Sequence, residues 1–84
     1  MAYNIYIKPS ASKDLDTLPD EQLKKILHHI ELLKVEPRPI GVQKLSNKEG
    51  YRIRSGSYRI LFEINEKIKT ISIYRVKHRK DAYK

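Results

Sequence analysis

Tyr51-Arg52-Ile53-Arg54-Ser55-Gly56-Ser57-Tyr58-Arg59-Ile60-Leu61-Phe62-Glu63-Ile64 is the run on which the fold turns. Tyr51 and Ile53 alternate with Arg52 and Arg54; Tyr58, Ile60, Phe62 and Ile64 alternate with Arg59, Leu61 and Glu63. A period of two is the mark of strands with one buried face. Ser55-Gly56-Ser57 reads as the short turn between them, which makes the run an antiparallel hairpin. If the tyrosines and aliphatics are buried, Arg52 and Arg54 must stand together on the opposite face, joined by Arg59 from the next strand. Asn65-Glu66-Lys67 makes a second turn and residues 68–77 a last strand. Ile71 and Ile73 point one way there, and the same phase would carry Arg75 and Lys77 into the core, which calls for a bulge or an exposed strand end.

Working back from the hairpin, residues 2–7 alternate Tyr3, Ile5 and Ile7 with Asn4 and Tyr6, a half-buried first strand. Pro9 ends it, and Ser10 offers an N-cap for a brief helix on which Ala11, Leu15 and Leu18 share a face. Pro19, Asp20 and Glu21 open a second helix, proline being tolerated in a first turn and acids complementing the helix dipole. Its stripe of Leu23, Ile26, Leu27, Ile30 and Leu33 is suited to lie on a sheet. Pro37 and Pro39 end it, and Arg38 to Gly50 is loop-like, with Leu45 the residue expected to reach inward. The order β-α-α-β-β-β, followed by a short basic tail from His78 to Lys84, predicts an α+β fold: a helical hairpin packed on one face of a small antiparallel sheet.

Length and composition bound the function. Eighty-four residues leave room for a single domain, residues 1–84, and 39% hydrophobic against 33% charged residues gives one modest core under a charged surface. The formal net charge is +8, and it is segregated: residues 1–50 carry 8 basic and 7 acidic side chains, residues 51–84 carry 10 and 3. Such a field suits nucleic acid or an acidic protein partner. With no cysteine there is neither a disulfide framework nor a thiolate metal site, as fits a reducing cytoplasm. No apolar run reaches the length of a signal core or the roughly 20 residues of a membrane span, so a membrane role is not expected.

Chemistry concentrates in the second half. Arg52, Arg54 and Arg59, with Lys77, His78, Arg79, Lys80 and Tyr83 from the tail, should assemble a cationic cluster on the face away from the helices. Guanidiniums match phosphate geometry, and a tyrosine stacks on an unpaired base. Any one of these arginines alone is a solvated strand residue, but several on neighbouring strands repel unless an anion sits between them. His28 and His29 point about 100° apart on a helix and have no ligand partner, so they read as solvated. His78, an imidazole among cations, is favoured in its neutral form and suited to move a proton. No Gly-rich phosphate loop, paired acids or Ser/His/Asp set occurs, and no cofactor or metal is expected.

The hairpin run, together with Pro39-Ile40-Gly41, Lys44-Leu45, Leu18-Pro19 and the closing Val76-Lys77-His78-Arg79-Lys80-Asp81-Ala82-Tyr83, resembles the RelE/ParE superfamily of bacterial and archaeal toxins. The resemblance covers nearly the whole chain and implies the toxin of a toxin-antitoxin pair. In the RelE branch such a protein enters the ribosomal A site and cuts messenger RNA, the RNA's own 2′-hydroxyl attacking the adjacent phosphate. It implies catalytic roles for Arg52 and Arg54 on the strand, Arg59 at the phosphate, Arg79 at the leaving group and Tyr83 against the RNA. Lys44, Arg75, Lys77 and Lys80 are the expected RNA contacts. Lysines often occupy the family positions of Arg52 and Arg54; arginine is always protonated, so His78, then Tyr83, is the candidate for taking the 2′-hydroxyl proton. Implied partners are a cognate antitoxin, the ribosome with its mRNA and rRNA, and operator DNA only through the antitoxin. Two rivals stand beside this reading: a ParE-like inhibitor of DNA gyrase that cleaves no RNA, and a silent toxin that only binds its antitoxin.

Overall fold

A computed structural model describes residues 2–45 and 50–78. Among these residues seven elements follow in chain order: β1 (Asn4–Ile7), α1 (Pro9–Asp16), α2 (Asp20–Leu33), β2 (Gln43–Lys44), β3 (Gly50–Ser55), β4 (Tyr58–Asn65) and β5 (Thr70–His78). They form one five-stranded sheet in the order β1-β5-β4-β3-β2. The α+β fold with two helices on a sheet is as the sequence predicts, with two refinements. β1 joins β5 in parallel, Ile5 beside Ile71 and Ile7 beside Ile73, because α1 and α2 intervene before the chain returns to the sheet. The Arg38–Gly50 segment contributes β2, whose two residues pair with Tyr51 and Arg52.

The hairpin forms, with Tyr51 opposite Phe62, Ile53 opposite Ile60 and Ser55 opposite Tyr58; Ser55 thus closes the ladder instead of opening the turn, which is Gly56-Ser57 alone. Gly56 in the turn has φ of +60°, where a side chain is disfavoured. Ile53, Ile60, Phe62, Ile64, Ile71, Ile73 and Val76 form the sheet's share of the core, against Ala11 and Leu15 of α1 and Ile26, Ile30 and Leu33 of α2. Phe62 lies fully buried at the centre, stacked on Tyr51 with ring centroids 5.8 Å apart.

Of the two ways to keep Arg75 and Lys77 out of the core, a bulge or an exposed strand end, the structure uses the bulge. Leu61 pairs with Arg75 but Phe62 with Ile73, so Tyr74 is the extra residue of β5 and the strand's phase changes across it. Ile71 and Ile73 before the bulge and Val76 after it all reach the core. The helix starts differ in detail from expectation. Lys8 is the N-cap of α1 with Pro9 in its first turn, while the Ser10 hydroxyl donates to the Tyr74 carbonyl at 2.6 Å. Pro19 caps α2, Asp20 and Glu21 fill its first turn, and Leu27 of the expected stripe is exposed. α1 lies along the β5 edge beyond the end of β1. There Asp14 Oδ2 accepts the Val76 N–H at 2.8 Å, a side chain completing a ladder that β1 is too short to supply.

Candidate functional site

Residues paired across an antiparallel ladder share a face of the sheet. Arg54 lies opposite Arg59, Arg59 opposite Lys77, and Gln43 opposite Arg52. Their neighbours Ile53, Ile60 and Val76 are buried under the helices, so Arg52, Arg54, Arg59 and Lys77 stand on the face without helices. Gly41, Gln43, Arg52, Arg54 and Arg59 line a recess of about 280 Å³. Gln43 holds one wall, its side-chain oxygen accepting a hydrogen bond from Arg52 Nη2. Arg59 is only 5% exposed, and its Nη1 donates to the Tyr58 carbonyl at 3.4 Å.

Arg59 thus lies between Arg54 on one strand and Lys77 on the other, a convergence of like charge that suits an anionic ligand. Held in place before any ligand arrives, it can bind a phosphate through two parallel hydrogen bonds. It can also stabilise negative charge that develops on that phosphate, with little reorganisation. The other lining residues, Gly41 and Gln43, supply no group that titrates near neutrality.

The structure separates several residues that the sequence places together. His78 pairs in register with Tyr58, and the two rings meet edge to face at 5.3 Å. Tyr58 packs against the core, so His78 stands on the helix side of the sheet, opposite to Arg59 and Lys77. The reason is the strand's alternation: adjacent residues of β5 cannot both reach the cationic face. Arg75 is engaged elsewhere, its Nε donating to Asp14 Oδ2 at 2.9 Å and its Nη2 to Oδ1 at 3.3 Å. That carboxylate raises the Arg75 pKa above its ordinary value. Lys44, in register with Tyr51, lies on the helix-side face beside Arg38 and Glu66, around a different hollow. Arg79, Lys80 and Tyr83 lie outside the described residues.

Other residues emerge to which the sequence assigned no part in a site. Gln43 belongs to a strand of two residues, too short to show a period. Gly41 lies at the rim with φ of +92°, a left-handed conformation that its neighbour Pro39 gives no hint of. His29, read as a solvated helix residue, shares a 2.8 Å hydrogen bond between its Nδ1 and the Oγ of Ser55, which is 2% exposed. Among the described residues no group of three or more His, Cys, Asp or Glu side chains is gathered as a metal site requires. No helix among them is long and apolar enough to cross a membrane.

Residues 5–83 match the family model described as the ParE toxin of the type II toxin-antitoxin system parDE. A relative called RelE1 from Methanocaldococcus jannaschii is 34% identical over 88 residues, covering all of this chain and 98% of that one. Toxin RelG of Mycobacterium tuberculosis is 31% identical over 86 residues, covering all of this chain and 99% of the relative. Among solved structures, the archaeal RelE-RelB complex from Pyrococcus horikoshii superposes with a TM-score of 0.85 at 32% identity, over 96% of this chain and 99% of that one.

Proposed function

Since the chain belongs to the RelE/ParE family of toxins from type II toxin-antitoxin systems, we propose that it is a ribosome-dependent endoribonuclease that cuts translated messenger RNA in the A site. The observation that carries this reading is the recess in which Arg59 is buried beside Arg54 and Arg52 on the helix-free face. Such a recess fits the non-bridging oxygens of a phosphodiester.

In the proposed reaction the 2′-oxygen of the RNA attacks the adjacent phosphorus, a P–O bond forms to it, and the bond from phosphorus to the 5′-oxygen breaks. Arg59 and Arg54 hold the non-bridging oxygens and offset the charge that grows there, the largest contribution a site of this composition can make. Arg52, steadied by Gln43, orients the strand. Arginine does not accept a proton at physiological pH, so the 2′-hydroxyl proton leaves to water at the open mouth of the recess or to Tyr83. Arg79 serves the leaving 5′-oxygen and Tyr83 orients the RNA, the roles that the family resemblance implies for the tail. His78, on the other face, has no part in this scheme. In the cytoplasm the cationic face is covered by an antitoxin of the RelB kind, through which alone the toxin reaches operator DNA.

The ParE description of the matching model favours a second reading, inhibition of DNA gyrase without RNA cleavage. Induction of the wild type and of an Arg54→Ala, Arg59→Ala double variant, with mapping of messenger RNA 5′ ends during growth arrest, separates the two. Codon-phased cuts present with the wild type and absent with the double variant are the expected result. Arrest without such cuts, accompanied by loss of supercoiling activity, establishes the gyrase reading instead.

A further inference from the structure

The arginine recess adjoins a second hollow of about 330 Å³, and the two share Gly41 and Arg54 as walls. The second hollow is largely apolar, formed by Leu32, Pro39, Ile40 and Ile53. Leu32 is 51% exposed and Ile40 fully so, which leaves the hollow open from outside. Its polar side chains are His29 and the shared Arg54. The 2.8 Å bond from His29 Nδ1 to the buried Ser55 hydroxyl fixes the ring. Whichever of the two groups holds that proton, Nε2 is left to donate or accept in the complementary sense. Gly41, at φ of +92°, turns the chain at the junction in a conformation that strains any other residue, so no side chain divides the two hollows.

We propose that the second hollow receives the unpaired nucleobase attached to the phosphate in the arginine recess, and that His29 Nε2 reads the hydrogen-bonding edge of that base. The proposal rests on the RNA-cleavage reading and deepens it by naming the residues that set base preference. A nucleotide is a flat apolar ring tethered to an anion. The site presents an apolar half and a cationic half that touch at Arg54, whose guanidinium can hold phosphate on one side and lie against a ring on the other. An acidic peptide would satisfy the arginines equally well, but it has no use for one oriented ring nitrogen in an apolar hollow.

The test is fluorescence anisotropy with labelled trinucleotides built on 2′-deoxyriboses, which lack the attacking hydroxyl, carrying A, C, G or U at the centre. The wild type is expected to bind its preferred base about 10-fold more tightly than its least preferred, the scale of one stacked and hydrogen-bonded base. His29→Asn keeps an amide in reach of Ser55 but removes Nε2; Leu32→Trp fills the hollow from an exposed position. Both should flatten the preference among the four bases, whereas Arg52→Ala, in the arginine recess, weakens all four probes alike and keeps their order. Equal binding of the four bases by the wild type, or a preference that survives both variants, overturns the proposal and leaves the cleavage reading standing. Displacement of every probe by oligoglutamate at equal cost, with no base preference, marks the surface as a protein interface and also overturns it. Failure to bind any probe, together with gyrase inhibition, removes the cleavage reading itself and this proposal with it.

Discussion

Asp14 does more for this molecule than any other acid on the helices. One carboxylate accepts both Arg75 nitrogens and the Val76 N–H, joining α1 to the part of β5 that β1 does not reach. Asp14→Ala should lower stability by about 2 kcal/mol in urea unfolding, the loss expected when hydrogen bonds to a charged group go. Asp14→Asn should lose less, since an amide oxygen still accepts from Val76. The arginines of the recess call for a different measurement. Arg59→Ala should abolish mapped messenger cleavage, whereas His78→Ala should cut at the wild-type rate, because the strand's alternation places the two side chains on opposite faces. Full loss of cleavage in His78→Ala would return histidine to the mechanism. The trio Arg52, Arg54 and Arg59 was legible in the sequence because a period of two compels it. The engagement of Arg75 was not, since its partner lies 61 residues away on a helix and leaves no local pattern.

At the scale of elements, the conflict between Ile71, Ile73 and the later Arg75 and Lys77 was enough to foresee an irregularity, a bulge or an exposed strand end, since no regular strand buries one end and exposes the other. It was not enough to foresee that the changed phase turns His78 toward Tyr58. The parallel pairing of β1 was hidden for a similar reason: alternation reports a buried face and is silent about direction. The β4–β5 turn is tied down by Glu66, which accepts from the Tyr3 hydroxyl at 2.5 Å and from Arg38 Nη1 at 3.0 Å. First the Tyr3 bond, then the Arg38 bond, hold the Glu66 carboxyl below the ordinary carboxylate value of 4.5. Because the folded value is depressed, the contribution of Glu66 is present in full above about 4.5 and is lost as pH falls through the lower folded value. An NMR titration of the Glu66 carboxyl carbon should therefore show a midpoint below 4.5, and Tyr3→Phe should move it up toward that value. A midpoint unmoved by Tyr3→Phe would remove the tie between the turn and the segment that leads into β1.

The whole molecule is organised by where its charge lies. The net +8 is held mostly beyond residue 50, and the sheet sorts it further, setting Arg52, Arg54, Arg59 and Lys77 on one face while Arg75 is paired with Asp14 and Lys44 stands on the other face. A single-stranded RNA that contacts the four clustered cations should release counterions in proportion, giving a slope of log K against log salt of about −3, at roughly 0.7 per phosphate contact. Cations of the tail steepen it. Arg52→Ala should reduce the slope by about 0.7, one contact, while Lys44→Ala should leave it unchanged. An equal loss for both variants would mean that RNA wraps around the β2 edge to the helix side, and the helix-free face would then be one part of a larger interface. An antitoxin that neutralises this toxin by covering the same face has to meet the same four cations, so its affinity should carry a similar salt slope and respond to the same substitutions. If Arg52→Ala weakens RNA binding but leaves antitoxin affinity and its salt dependence intact, the antitoxin silences the toxin from somewhere other than the arginine face.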